Sequence, residues 1–389
     1  MKLCCFFNYP PHYRESIFRK IDETFDTRFY FGRSVPGNEG GSPIRKVDFG
    51  IFRHKPVEMA NVNLLGRFPW RSKFLSAGFG DHDAVIVSGD LCYSHIPLAI
   101  ICRLTGKKFY GWGHGPKKKH GPLYFLYDFV LRMSDGYFTY GERGRRRMIG
   151  LGYDPARIHP VYNSLNDGVD PEAQRRLKSD VLSRRFGNSD PTLLFIGRLT
   201  PQKKLDRLVD MLARLNGDGL GCNLLFIGDG PEAASLRRHA EEAGVDGRIW
   251  FFGECHDEET LGELVYNCDL CCSPGNVGLT ALHAMSYGVP VASHDDFDTQ
   301  MPEFETISHG ETGVLFRKDD PEDMIVKTAR WLRDHSTAEA REKARRACHA
   351  MINTRWNSRH QISILQRVLQ GDSDRKAPEI MENKDERLC

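Results

Sequence analysis

Arg198 and Lys203 stand five positions apart in Gly197-Arg198-Leu199-Thr200-Pro201-Gln202-Lys203, directly after an apolar run at 192–196. A strand that ends in glycine and gives way to Arg, then to Lys at a helix opening, groups a bidentate donor, a point charge and oriented N–H groups. That grouping suits a diphosphate. A second segment, Ser273-Pro274-Gly275-Asn276-Val277-Gly278-Leu279-Thr280-Ala281-Leu282-His283-Ala284-Met285, runs from a small-residue loop into a short helix that stops at Gly288. The amino end of that helix, near Gly278, Leu279 and Thr280, offers N–H groups and positive dipole to phosphate oxygens. Between the two, Ile227-Gly228-Asp229-Gly230-Pro231 is again strand end, glycine turn and helix start. It lacks G-x-G-x-x-G and reads as a structural turn, its proline suiting the first turn of a helix.

The first half offers chemistry of another kind. Gly111-Trp112-Gly113-His114-Gly115 closes an apolar run and puts His114 on a strand-end loop. Lys117, Lys118, Lys119 and His120 follow, then Leu123-Tyr124-Phe125-Leu126-Tyr127. Cations beside aromatics suit a lipid-linked phosphate acceptor or an anionic bilayer. They would suit nucleic acid too, but no nucleic-acid reading module is present and the rest of the chain is not basic, so that partner is not expected. Tyr13 and Arg14, after the first strand, are expected to border an acceptor cleft, with Ser88-Gly89-Asp90 as a further wall. Glu142-Arg143-Gly144-Arg145-Arg146-Arg147 reads as a solvated helix start. Asp296-Phe297-Asp298 has the spacing of a metal-binding Asp-x-Asp motif, yet Arg198 and Lys203 already neutralise a diphosphate, so no metal is expected. Cys268 and Cys271 have zinc-like spacing without a second pair and read as core thiols.

These residues need a scaffold that carries strand ends to one edge. Short apolar runs alternate with helical patterns, the mark of parallel sheets with crossover helices. Strands are predicted at 2–7, 28–31, 84–88, 108–112, 137–140 and 159–161, then at 192–197, 223–228, 249–253, 269–273, 290–293 and 314–316. Ligands bind at the carboxyl ends of such strands. A cluster of turn formers at 187–191 separates two halves. The predicted division is an acceptor-side domain over 1–165, a nucleotide-binding domain over 166–355, a closing helix over 356–370 and a disordered tail over 371–389. Two amphipathic stretches, at 321–351 and 357–369, are expected to close the second half. A length of 389 residues suits two domains, and 40% hydrophobic with 27% charged residues is ordinary for a soluble protein. No apolar run approaches the ~20 residues of a membrane span, and the first residues lack a signal pattern. With eleven cysteines in no regular framework, a cytoplasmic protein is expected. Positions 101–150 hold eleven Lys/Arg against three Asp/Glu, whereas 251–320 hold two against fourteen. The basic half could meet an anionic acceptor or the inner membrane face.

Four pieces in fixed order, GRLTPQK, LLFIGDGPE, SPGNVGLTALHAMSYGVPV and MPEFETISHGETGVLF, resemble the family 4 retaining glycosyltransferases. The resemblance covers about residues 160–360 well and the first half loosely. It implies an α/β fold of two Rossmann-like domains facing across a cleft (GT-B), and transfer of a sugar from a nucleotide-diphosphate donor with no cofactor required. The acceptor would be a glycan or lipid-linked sugar in cell-surface polysaccharide or glycoconjugate synthesis. It implies that Arg198 and Lys203 act on the donor pyrophosphate and that His114 matches a histidine near the reacting sugar. Gly197, Gly228, Asn276, Val277, Gly278, Leu279, Thr280 and Glu303 would line the donor site, and the turn at Gly253 and Glu254 would border the base. The family's two glutamates, eight positions apart, are replaced by Gly275 and His283. His283 can still hydrogen-bond a ribose hydroxyl, while Gly275 cannot replace a carboxylate. A sugar-nucleotide epimerase or phosphorylase of the same architecture and a non-catalytic nucleotide-sugar binder stay open as alternatives. A nicotinamide-dependent dehydrogenase would need the missing glycine fingerprint.

Overall fold

The computed structural model describes residues 1–33, 44–64, 68–90, 92–116 and 124–371. Lys117, Lys118, Lys119, His120 and the tail expected to be disordered beyond Gly371 lie outside them. The first lobe contains β1 (Lys2–Phe7), β2 (Asp26–Gly32), β3 (Val57–Met59), the hairpin β4 (Asn61–Leu64) and β5 (Phe68–Arg71), β6 (Ala84–Ser88), β7 (Lys108–Gly113), β8 (Gly136–Thr139) and β9 (Ile158–Pro160). Seven of these form a parallel sheet in the order β3-β2-β1-β6-β7-β8-β9. The second lobe contains β10 (Thr192–Ile196), β11 (Asn223–Ile227), β12 (Ile249–Gly253), β13 (Leu270–Ser273), β14 (Val291–His294) and β15 (Gly313–Phe316), in the order β12-β11-β10-β13-β14-β15. β10 and β11 are buried along their whole length. A parallel sheet has helices on both faces, which is why its strands read as unbroken apolar runs rather than as alternations.

The order of each sheet reverses once. In the second lobe the reversal falls between β10 and β13, and in the first between β1 and β6. Ligands in open α/β sheets bind beside such switch points. Arg198 and Lys203 follow β10 and Gly275 follows β13, so both predicted phosphate segments flank one switch point. Arg14 follows β1 and Asp90 follows β6, so they flank the other.

Three expectations need correction. β3 and the β4–β5 hairpin did not appear in the sequence reading, because each strand is three or four residues long. The stretch expected as one helix over 321–351 is two, Pro321–Asp334 and Ala338–Thr354, with a fresh cap at Thr337, whose side chain accepts from the Ala340 N–H. The last helix, Ser358–Gln370, does not close the second half. Ile364 and Leu365 join the first lobe's core with Phe7, Phe18 and Trp112. The chain therefore passes between lobes twice, at 162–166 and at 355–358. At the crossing, the Tyr162 ring meets the buried Trp356 edge-on with centroids 5.1 Å apart.

Candidate active site

The strand ends of the second lobe interlock. The Gly197 N–H donates to the Ile227 carbonyl at 2.9 Å, and the Gly228 N–H to the Gly253 carbonyl at 2.7 Å. Gly228 has φ 136°, and a Cβ there would lie 2.0 Å from the Gly197 oxygen. Glycine is required by the close approach, so this turn is structural, as its sequence suggested. Arg198 then emerges exposed, with no ion-pair partner among the described residues.

Lys203 departs from its expected place. It sits in a 3-10 turn, Pro201–Lys203, and the helix proper begins at Asp206. Two carbonyl-type acceptors on the turn after β13 fix it: the Nζ donates to the Asn276 backbone oxygen at 2.6 Å and to its Oδ1 at 3.1 Å. In return the Gly275 N–H donates to the Lys203 oxygen at 3.0 Å. The two segments are thus bound to each other, and Asn276 spends its side-chain oxygen on Lys203. Burial holds the Lys203 ammonium below its usual range, and the charge of Glu303 works against that. A Cβ at Gly275 would lie 2.1 Å from the Gln202 oxygen and 2.8 Å from Lys203 Cα. The turn as packed has no room for a side chain at this position.

The helix Leu279–Ser286 begins at Gly278 without a side-chain cap. Thr280 is buried and donates from Oγ1 to the Ile196 oxygen at 2.9 Å, tying the helix's amino end to the end of β10. The Gly278, Leu279 and Thr280 N–H groups have no partner among the described residues. The Val277 N–H is taken by Gln300 Oε1 at 2.7 Å, while Gln300 Nε2 donates to Ser293 Oγ at 2.8 Å and to the His294 oxygen at 2.9 Å. His283 lies one helical turn away, its ring centroid 5.9 Å from that of Tyr287, and burial pulls its imidazole below the usual range. Glu254 is exposed, 3.2 Å from His256.

Glu303 is 2% exposed and accepts from Asn163 Nδ2 at 2.7 Å, while its Oε2 has no partner. Burial raises its carboxyl; the Asn163 hydrogen bond and then Lys203 act the other way. Facing it from the first lobe are Tyr13 and Tyr140, both of which feel its charge. His114 is exposed at the end of β7, its ring edge-on to Tyr140 with centroids 5.0 Å apart.

The lobes also meet through residues the sequence reading treated as surface. Glu305 accepts from the N–H groups of Glu142 at 2.9 Å and Arg143 at 2.8 Å, capping the helix Glu142–Gly150 from the opposite lobe. Arg143 and Arg147 reach Asp298 at 3.2 and 3.0 Å, and Arg143 lies over the Phe297 ring at 4.7 Å. Glu142, Arg143 and Arg147 are therefore interface groups rather than a solvated helix start. The Asp-x-Asp carboxylates are engaged as well: Asp296 pairs with Lys318 at 2.6 Å, Asp298 with the two arginines. No group of three metal-binding side chains occurs among the described residues. Cys268 and Cys271 are buried thiols, and burial pushes Cys271 up to about 12. Asn163, Gln300 and Glu305 escaped the sequence reading because nothing local marks them; their partners lie 140, 23 and 163 positions away.

Two facing Rossmann-like lobes, with a cation and unpartnered helix N–H groups beside the second lobe's switch point, define the GT-B class of α/β protein. The model of the family described as glycosyl transferases group 1 matches residues 182–348 of the chain. It is similar to 2-deoxystreptamine glucosyltransferase of Streptomyces kanamyceticus, 30% identical over 42% of this chain and 44% of that protein. It is also similar to lipopolysaccharide 1,6-galactosyltransferase of Salmonella typhimurium, 26% identical over 49% of this chain and 50% of that one. The chain thus spans about half the length of the curated relatives it matches. In shape it resembles HepE of Anabaena in complex with UDP, with a TM-score of 0.69 at 15% identity over 96% of this chain and 100% of the other.

Proposed function

We propose that this protein transfers a sugar from a nucleotide-diphosphate donor to a glycan or lipid-linked acceptor with retention at the anomeric carbon, in the making of cell-surface polysaccharide or glycoconjugate. The observation that carries the reading is the bond of Lys203 to Asn276 beside the unpartnered N–H groups of Gly278, Leu279 and Thr280, with Arg198 unpaired at the same sheet edge. Charge that develops on a departing diphosphate meets donors already fixed in place, which lowers the barrier without reorganisation. The acceptor hydroxyl attacks from the leaving-group face, and a departing phosphate oxygen takes its proton. No carboxylate nucleophile is needed, in keeping with the filled space at Gly275. A UDP complex of a protein of this shape and sugar-transferring relatives support the donor class.

A membrane-borne acceptor is supported by the outer face of the first lobe. Leu75, Phe79, Leu104, Phe125 and Phe129 are exposed on neighbouring helices, and such an apolar surface is unusual unless it docks. The test is a thermal-shift panel of nucleotide sugars, since binding to the folded state raises the melting temperature. A hit whose diphosphate is released only when acceptor is added supports transfer. Conversion of the donor to an epimeric nucleotide sugar without acceptor, or diphosphate release that needs only free phosphate, turns the reading to an epimerase or phosphorylase; binding with no conversion turns it to a non-catalytic binder, and silence across the panel removes the donor site.

A further inference from the structure

Arg14 lies in the lobe opposite Arg198 and Lys203, yet its surroundings are built for a charge. Its guanidinium carbon lies 5.8 Å from the ring centroid of Phe7, 5.5 Å from Phe18, 5.0 Å from Trp112 and 5.4 Å from Tyr140. Three of those rings stand at or just beyond the carboxyl ends of β1, β7 and β8, the edge that faces the cleft. Nε and Nη2 are buried without a hydrogen-bond partner, and no carboxylate pairs with Arg14 among the described residues. The Trp112 Nε1 is a second buried donor with none. Across the cleft Glu303 Oε2 is likewise unpartnered, and its charge reaches Tyr13 and Tyr140, the phenols next to Arg14.

An enclosed cation and an enclosed carboxylate therefore share one cleft without pairing. Ring faces offset part of the cost of burying a guanidinium, but a pair with Glu303 would offset more. Leaving both open keeps room for a ligand between them. We propose that Arg14 is an oxyanion anchor of the first lobe, taking a phosphate or carboxylate group of a ligand that lies between it and Glu303. The site rests on the cleft assigned under the proposed function. The oxyanion has two sources, the sugar-proximal phosphate of the donor or an anionic group on the acceptor.

The experiment is calorimetric titration of the full chain with UDP, with GDP, and with inorganic phosphate alone and over saturating nucleotide, for wild type, Arg14→Gln and Arg14→Lys. Arg14→Gln is expected to weaken at least one of these titrations ten-fold or more while the melting temperature holds or rises, and Arg14→Lys to recover part of the loss. Loss of nucleotide binding assigns the donor phosphate; loss of phosphate binding with nucleotide intact assigns the acceptor. Unchanged binding of every probe by Arg14→Gln overturns the proposal, as does a wild type that binds none of them. If the Gln variant does not fold, Arg14→Met, which keeps the stem and loses the charge, takes its place, and unchanged binding by it overturns the proposal equally. Arg198→Ala in the same titrations tests the donor reading separately: nucleotide binding that survives it sinks that reading and leaves the Arg14 result standing.

Discussion

Arg198 is exposed and has no ion-pair partner among the described residues, so removing its side chain takes nothing from the core. Arg198→Ala is expected to lower turnover about 10²-fold or more, the usual loss when a donor to developing charge is removed, with no change in the urea midpoint. Wild-type turnover would refute the phosphate assignment. Gly275 is the opposite case, a residue that acts by having no side chain. A methyl group there would press on the Gln202 oxygen and Lys203 Cα, so Gly275→Ala must displace the turn that carries the cation. The expected result is a loss of about 1–3 kcal/mol in unfolding free energy together with weaker nucleotide binding. A variant as stable as wild type with unaltered affinity would show that the two segments are not packed as described.

At the scale of elements, the loop from His294 to Thr306 does two tasks. Gln300 pins the Val277 N–H just ahead of the helix Leu279–Ser286, and Glu303, Asp298 and Glu305 face the other lobe. Gln300 has three bonds to give up. Gln300→Leu leaves the Val277 N–H unsatisfied, a loss of about 1–3 kcal/mol, and the loop ahead of Leu279 loses its brace. Nucleotide-sugar KM is expected to rise about ten-fold with kcat changed less, because Gln300 positions the loop without touching the reacting atoms. A fall in kcat at constant KM would contradict that role. The first half of this element was visible in the sequence as Asp296-Phe297-Asp298, but the motif was weighed for metal binding. Its real partners, Arg143, Arg147 and Lys318, are cations brought in by tertiary folding.

For the molecule as a whole, two chain crossings and one latch govern how the lobes meet. At the crossings Tyr162 is held at φ 59°, with its oxygen accepting from Gln361 Nε2 at 2.8 Å. The latch is Glu305 on the amino end of the helix Glu142–Gly150. Burial pushes its carboxyl up to about 7 from an ordinary 4.5; the Arg143 and Glu142 N–H groups pull down, Glu142 pushes up and Arg146 pulls down. A proton is thus held more tightly in the docked state than in the parted one. The contribution to docking is fully present below about pH 4.5 and is lost as the pH rises through about 7. Small-angle scattering is expected to show a larger radius of gyration at about pH 8 than at about pH 5, and Glu305→Gln to flatten that change. Equal pH dependence in both proteins would exclude Glu305 as its source.

The alternation of apolar runs with helical patterns settled the two-lobe α/β architecture, since buried parallel strands need unbroken apolar sequence and say so locally. The glycine-ended strands, the cations at 198 and 203 and the small-residue turn before Leu279 were legible for the same reason: each is a local pattern with a local cause. Tertiary structure alone decided that Lys203 leaves its own helix for Asn276, that Ser358–Gln370 crosses to the first lobe, and that Arg14 is caged by four rings while Glu303 and Glu305 turn to face that lobe. Those arrangements join groups up to 342 positions apart, as Ser16 and Ser358 are, and their energies come from burial and pairing between distant segments, which no neighbouring residues encode.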